Sequence, residues 1–268
     1  IYLVGGCVRD YLLDRTINDI NVAVDLQNGG LDFANWIGEN ITKKQPLILP
    51  RYGTALNVVN IPEVGEVHVE SNQTRLNASY TITEDMELED NFGNVLSDSV
   101  LRDLTINSMY LDVSSGEILD PTDGLKDMTS HTLCTTNAPD VIFKDDPIRM
   151  MRIIRFASIL GWDIDKTTWF GILRNHELIK TTSTEKFVRE LNKILLTDKP
   201  SVGLKRLISS GILYDMIPEL YAINHIEGID IKENIWNHTL KVVDNSEPIL
   251  LNRIAALLHD IGKPISHK

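Results

Sequence analysis

The sequence predicts an α+β fold: a small mixed β-sheet in an N-terminal head, followed by an all-helical remainder. Three observations carry this expectation. Short β-type runs separated by glycine and proline turns fill the first 125 residues. From about residue 140 the apolar period is helical to the end. Between Tyr2-Leu3-Val4 and Cys7-Val8-Arg9, two glycines join a short strand to a helix.

Taken in order, the β-type runs are 1–4, 20–26, 46–49, 54–60, 65–71 and 108–112, with helices near 7–14, 31–40 and 102–108. Gly29-Gly30, Gly53 and Pro62-Glu63-Val64-Gly65 mark turns. Residues 72–97 keep no sustained period and read as a long flexible loop or a pair of weak strands. The organisation expected is a head at 1–125, a helical neck at 126–197 and a helical body at 198–268, without internal repeats.

Composition narrows the class. At 268 residues there is room for two or three small domains with cores of their own. No run approaches the roughly 20 apolar residues of a membrane span, and no secretory signal precedes the first strand. A cytoplasmic protein with no membrane partner is expected. The chain begins at Ile1 rather than Met, so its true N-terminus is expected upstream. Cys7 and Cys134 lack metal-ligand spacing and read as free thiols of a reducing compartment. The net charge of −12 is opposite to what a nucleic-acid backbone selects. Much of the acid lies in residues 84–90, read as a solvated face, whereas Arg149, Arg152, Arg155 and the stretch from Lys186 to Arg206 are basic. A local basic groove on an acidic protein is expected.

Chemistry begins at Gly5-Gly6. Lacking Cβ atoms, the pair lets a ligand approach the backbone, and Arg9 follows within one helical turn, near a helix N-terminus that favours anions. Asp19-Ile20-Asn21 then puts Asp19 and Asn21 on one side of a strand. Two polar residues so placed are where a metal-assisted phosphoryl transferase carries its carboxylates. Asn21 offers a carbonyl oxygen but no charge. The plainer reading is that Asp19 starts a strand and Asn21 satisfies an edge.

These residues resemble the start of the bacterial tRNA nucleotidyltransferase and poly(A) polymerase family, the class II CCA-adding enzymes of the polymerase-β-like superfamily. Further blocks follow in the family's order: Val100-Leu101-Arg102-Asp103-Leu104-Thr105-Ile106-Asn107-Ser108-Met109, Leu119-Asp120-Pro121-Thr122-Asp123-Gly124-Leu125-Lys126-Asp127, and Asp145-Asp146-Pro147-Ile148-Arg149 with Arg152 and Arg155. Ser183 to Leu196 and Leu213 to Leu220 fit the helices that come next.

The resemblance implies a nucleotidyltransferase head, Mg²⁺ at Asp19 and Asn21, and a nucleotide held by Gly5, Gly6, Arg9, Arg102, Asp103 and Asn107. It implies that Asp146 and Arg149 read the base, with Arg152 and Arg155 nearby for phosphate or ribose. Asp supplies only acceptors and Arg a rigid donor fork, which suits the mixed edge of C or A. By spacing alone, the three arginines form a solvent-exposed stripe behind an N-cap at Asp146 with Pro147 in the first turn. Asn107 reads equally as a ribose contact, a loop brace or a satisfied core amide.

The chain departs from the family at three places. Asn21 stands where a second metal carboxylate is expected, and Leu101 replaces an arginine. In Gly65-Glu66-Val67-His68-Val69-Glu70, the register places His68 at the third carboxylate, flanked by Glu66 and Glu70; the basic stretch after it is reduced to Arg75.

At the other end, Trp236-Asn237-His238-Thr239-Leu240 and His259-Asp260-Ile261-Gly262-Lys263-Pro264 resemble HD-domain metal phosphohydrolases, which implies a divalent metal at His238, His259 and Asp260. The chain stops at Lys268, before a later Asp that such a domain needs, so the module is expected to be truncated.

The function expected is template-independent addition of CMP and AMP, from CTP and ATP, to a tRNA 3′ end with release of pyrophosphate. No obligate protein partner is inferred. The alternatives are a catalytically weakened nucleotide- or RNA-binding homologue and an HD-type hydrolase.

Overall fold

The structure, a computed structural model, describes residues 1–49, 53–77, 91–225 and 234–263. The chain divides into two compact units, Ile1–Ala138 and Pro139–Lys268.

The first unit is built on a seven-stranded mixed sheet. Its strands are β1 (Tyr2–Val4), β2 (Asp19–Val24), β3 (Leu47–Leu49), β4 (Thr54–Ile61), β5 (Gly65–Gln73), β6 (Tyr110–Asp112) and β7 (Ile118–Leu119), in the order β3-β4-β5-β2-β1-β6-β7. β2 and β5 run parallel, and the other neighbours are antiparallel. Helix α1 (Gly6–Leu12) follows β1, and α2 (Gly29–Ile37) follows β2.

Period-2 alternation decides what β2 buries. Val22 and Val24 pack with Ile37, Phe33 and Val69 on the face that α2 covers. Ala23 points the other way, into a second cluster with Val4, Val95 and Tyr110. Asp19 and Asn21 share Ala23's face but lie toward the open end of the strand, where burial declines residue by residue. The core thus anchors one end of β2 and leaves two polar side chains at the other.

The helix expected at 102–108 is not formed. A helix α3 (Val95–Ser99) stands earlier, and Thr105–Asn107 makes a single 3₁₀ turn. Asn94 starts α3 with a reciprocal capping box, its side chain accepting from the Ser97 amide and Ser97 Oγ accepting from the Asn94 amide. Downstream, the Asp103 carboxylate accepts from the Leu104 amide at 2.9 Å, which competes with helical bonding. Within 72–97, β5 extends to Gln73 and Arg75 bridges Phe92 in antiparallel fashion. The acidic stretch 84–90 lies outside the described residues.

The second unit is helical, as its pattern predicts. It comprises α5 (Pro139–Asp145), α6 (Ile148–Leu160), α7 (Lys166–Asn175), α8 (Thr184–Leu195), α9 (Pro200–Ser210), α10 (Ile212–Met216), α11 (Pro218–Ala222), α12 (Ile235–Asn245) and α13 (Leu250–Leu258), while a short α4 (Gly124–Thr129) belongs to the first unit. Helix α6 is its spine: Met150, Met151, Ile153, Ile154 and Ala157 are fully buried, against α8 and α9 among others. Among the described residues, no helix is long and apolar enough to cross a membrane.

Candidate active site

Gly5 sits at φ +80°, ψ −137°, a conformation that side chains resist, and turns the chain from β1 into α1. A Cβ built there would lie 3.8 Å from both Asn21 Oδ1 and Arg102 Nη1. The turn, the strand amide and one edge of an arginine therefore meet at one place. Helix α1 is only seven residues long, so side chains matter more than its dipole for holding an anion.

Arg102 is held on its far edge. Its Nε and Nη2 donate to Asp98 Oδ2 at 3.0 and 2.8 Å, and Nε also reaches the Tyr110 hydroxyl at 2.9 Å. Asp98 accepts in addition from Arg75 Nε at 2.8 Å and from Tyr110 at 2.5 Å. Burial alone would raise the Asp98 pKa. The Arg102 and Arg75 guanidiniums and the Tyr110 hydroxyl reverse this and hold the carboxyl below the usual carboxylate range. Burial, followed by Asp98, pushes the Tyr110 phenol up against the opposing pull of Arg102. For Arg102, burial favours the neutral form, but pairing with Asp98 outweighs it and raises the pKa.

Arg9 is placed differently. It is buried, donates twice to Asp10 at 2.9 and 2.8 Å, and donates Nη1 to Asn107 Oδ1 at 2.7 Å. Asn107 in turn donates to Asp103 at 3.3 Å. These hydrogen bonds tie the Gly5-Gly6 helix to the 105–107 turn.

Across the sheet, the parallel register pairs Asp19 with His68 and Asn21 with Glu70. The sequence register places His68 at the third-carboxylate position; in the structure His68 stands beside Asp19 and Glu70 beside Asn21. A slip of two residues preserves the face, so alternation alone could not choose between them. Asn72 donates to Glu70 Oε1 at 3.3 Å, and Thr54 Oγ1 donates to Asn72 Oδ1, so a short polar chain orients Glu70. Asp19 Oδ1 and His68 Nδ1 stand 3.6 Å apart with both side chains largely exposed. Oxygen donors from Asp19, Asn21 and Glu70 on one sheet face suit a hard divalent cation.

In the second unit, α5 runs into α6 through Asp146-Pro147. The expected N-cap is shifted by one residue: the helix begins at Ile148, Pro147 occupies the cap position, and Asp146 Oδ1 accepts from the Ile148 amide at 3.3 Å. The exposed arginine stripe is not observed. Arg149 and Arg155 are mostly buried and paired, with Asp145 at 2.6 Å and with Glu190 of α8 at 2.6 Å. The Arg155 guanidinium also lies 4.2 Å from the centroid of the Phe156 ring. On a helix this buried, an arginine persists only with a partner.

Farther along, His238, His259 and Asp260 come together, with one ligand atom from each within 4.8 Å of the others. His259 Nδ1 lies 2.7 Å from the Ala256 carbonyl, to which it donates. Its Nε2 then keeps a lone pair and meets Asp260 Oδ2 at 3.2 Å. An imidazole nitrogen and a carboxylate oxygen side by side are donor types that a divalent ion takes. Lys263 Nζ sits on the same Asp260 oxygen at 2.6 Å.

The family described as "Poly A polymerase head domain" matches residues 1–134. The chain belongs to the poly(A) polymerase and CCA-adding enzyme family. A second family, described as "Probable RNA and SrmB- binding site of polymerase A", matches residues 161–223. The CCA-adding enzyme of Limosilactobacillus reuteri is 32% identical over 221 residues, which cover 82% of this chain and 51% of that protein. The Enterococcus faecalis enzyme is 32% identical over 222 residues, 82% of this chain and 50% of its own length. The chain spans about half the length of the curated relatives it matches. The fold matches that of the Bacillus stearothermophilus CCA-adding enzyme in complex with CTP, at TM-score 0.70 and 24% identity over 99% of this chain and 60% of that one. It also matches a tRNA nucleotidyltransferase complexed with a primer tRNA and an incoming ATP analog, at TM-score 0.68 and 21% identity, over 96% of this chain and 71% of that one.

Within this family frame, the sequence reading missed Asp98 and Asp145. Each lies four residues before the arginine it holds, a spacing that was legible.

Proposed function

We propose that the chain is the nucleotidyltransferase portion of a cytoplasmic enzyme that adds CMP and AMP, from CTP and ATP, to the 3′ end of tRNA, releasing pyrophosphate. What supports this above all is the meeting of Asn21 and Arg102 at the Gly5 turn, with Glu70 beside Asn21. The CCA-adding relative that is 32% identical over 82% of the chain supports the same reading.

Each residue has a task. Gly5 and Gly6 let phosphate oxygens reach the backbone. Arg102 presents its Nη1 edge to them, already charged and already held. Arg9, Asp103 and Asn107 keep the turn in place. Asp146 offers acceptors and Arg149 donors to the base edge, with Arg152 and Arg155 behind them. Asp19, Asn21 and Glu70 would hold Mg²⁺, which when bound supplies the charge neutralisation that phosphoryl transfer needs. The RNA 3′-hydroxyl is the nucleophile, so no protein nucleophile is required. Asn21 and Leu101 each remove one charge relative to the family pattern, so slow turnover is expected.

The test is incorporation of labelled CTP and ATP onto a tRNA lacking its CCA end, with Asn21→Asp alongside. Addition by the natural chain, accelerated in Asn21→Asp, is the expected result. Tight CTP binding with no incorporation by either chain would replace the transferase reading with a binding role. The His238, His259 and Asp260 cluster favours a second, weaker reading as a metal phosphohydrolase site. Release of phosphate from a simple phosphate ester with Mn²⁺ checks it. None is expected, because Lys263 already occupies the Asp260 oxygen.

A further inference from the structure

We propose that His68 supplies an imidazole nitrogen to the divalent ion held at Asp19, and that this head therefore prefers a first-row transition ion such as Mn²⁺ over Mg²⁺. The inference rests on the reading of the Asp19 face as a metal site.

Asp19 and His68 are register partners on parallel strands, so their side chains leave the same face of the sheet side by side. Asp19 Oδ1 and His68 Nδ1 are 3.6 Å apart. That is beyond a hydrogen bond. It is close to the spacing of two donors on one ion: at ~2.1 Å from the metal, and at angles between octahedral and tetrahedral, they stand roughly 3.0–3.4 Å apart. Small rotations of two exposed side chains close the difference. No packing has recruited either residue, since the side chains are 69% and 53% exposed.

The neighbouring donors set the preference. Asn21 brings a neutral carbonyl oxygen to the strand position beside Glu70, so the site carries less negative charge than one with two carboxylates on β2. A hard, strongly hydrated Mg²⁺ ion depends on that charge and takes oxygen ligands almost exclusively. A borderline imidazole nitrogen instead favours transition ions, whose affinity for nitrogen exceeds that of Mg²⁺. The substitution that weakens the site for Mg²⁺ and the histidine that enters it on the next strand thus act in the same direction.

The experiment is a titration of Mn²⁺ with the chain, followed by loss of the free-ion electron paramagnetic resonance signal and by nitrogen modulation of the bound signal, with Mg²⁺ as competitor. All chains carry His238→Ala, which removes the His238, His259 and Asp260 cluster as a second Mn²⁺ site. The expected result is Mn²⁺ bound at least tenfold more tightly than Mg²⁺, with imidazole nitrogen modulation. His68→Ala should lose that modulation and about tenfold in Mn²⁺ affinity while Mg²⁺ affinity changes less than twofold. A Glu66→Ala control should leave all three readings unchanged. Unaltered modulation in His68→Ala overturns the proposal. Asp19→Asn separates the two levels: if it abolishes Mn²⁺ binding while His68→Ala does not affect it, the metal site stands and His68 is no ligand. If Asp19→Asn leaves Mn²⁺ binding intact, the metal-site reading itself fails.

Discussion

Arg102 in the head and Arg149 in the helical unit are held in the same way, whereas the donors around Asp19 are held in another. Each arginine binds a carboxylate four residues earlier, at 2.8 Å for Asp98 and 2.6 Å for Asp145, and these carboxylates are 1% and 2% exposed. The arginine side chains as a whole are 19% and 11% exposed. By contrast, Asp19 and His68 face each other in the open. A guanidinium fixed by a buried partner loses little freedom when an anion or a base docks on its open edge. Open donors gain their geometry only when a cation arrives. Under the proposed function, the fold would prepare the contacts for a nucleotide and leave the metal donors to be organised by the ion, with Asn21 in the part that is not prepared.

The largest effect should follow Asp98→Asn. Removing one charge from a buried network leaves Arg102 and Arg75 facing a neutral amide, and a loss of about 3–5 kcal/mol in urea unfolding at pH 7 is expected. Asp145→Asn breaks the pair with Arg149 and should cost about 2 kcal/mol. The two values together sharpen the comparison: a larger cost for Asp98→Asn is expected, and equal costs would contradict the greater weight given to the Asp98 network. The pH dependence has a definite sign. The folded Asp98 carboxyl titrates below its ordinary 3.8, so its contribution is complete above about pH 4 and is lost as pH falls through the lower folded value. The stability gap between the natural chain and Asp98→Asn should therefore be constant from pH 7 to about 4 and narrow below it.

Much of this was legible in the sequence, and what was not has physical causes. The strand–Gly-Gly–helix start, the sheet runs and the helical remainder are local patterns, and they appear close to where their periods place them. The 102–108 helix was misplaced because Arg102-Asp103 looks like a helix start, while the stronger signal, the Asn94–Ser97 capping box, lies eight residues earlier. His68 and Glu70 lie two residues apart on the face shared with Asp19 and Asn21, an ambiguity that alternation leaves open. The stripe of Arg149, Arg152 and Arg155 read as exposed because spacing reports a shared face, not whether a neighbouring helix carries a Glu190 to meet it.

Gly5→Ala probes the turn alone. A Cβ meets nothing closer than 3.8 Å, so the cost is backbone strain at φ +80°, about 1–3 kcal/mol. Thermal unfolding checks it, and a loss beyond that range would point to a contact rather than to strain. The smallest stability effect should come from Asn21→Asp. At the half-open end of β2 it should change stability by less than about 0.5 kcal/mol while raising divalent-ion affinity. A large destabilisation there would show that Asn21 is part of the braced region after all.

The most direct test of the division between prepared and unprepared contacts is calorimetric titration of CTP into the chain, in EDTA and in Mg²⁺. Braced arginines predict that binding in EDTA stays within about tenfold of binding in Mg²⁺, a difference of roughly 1.4 kcal/mol, and that Arg102→Ala weakens both. CTP binding that appears only with Mg²⁺, and that survives Arg102→Ala, would contradict the account.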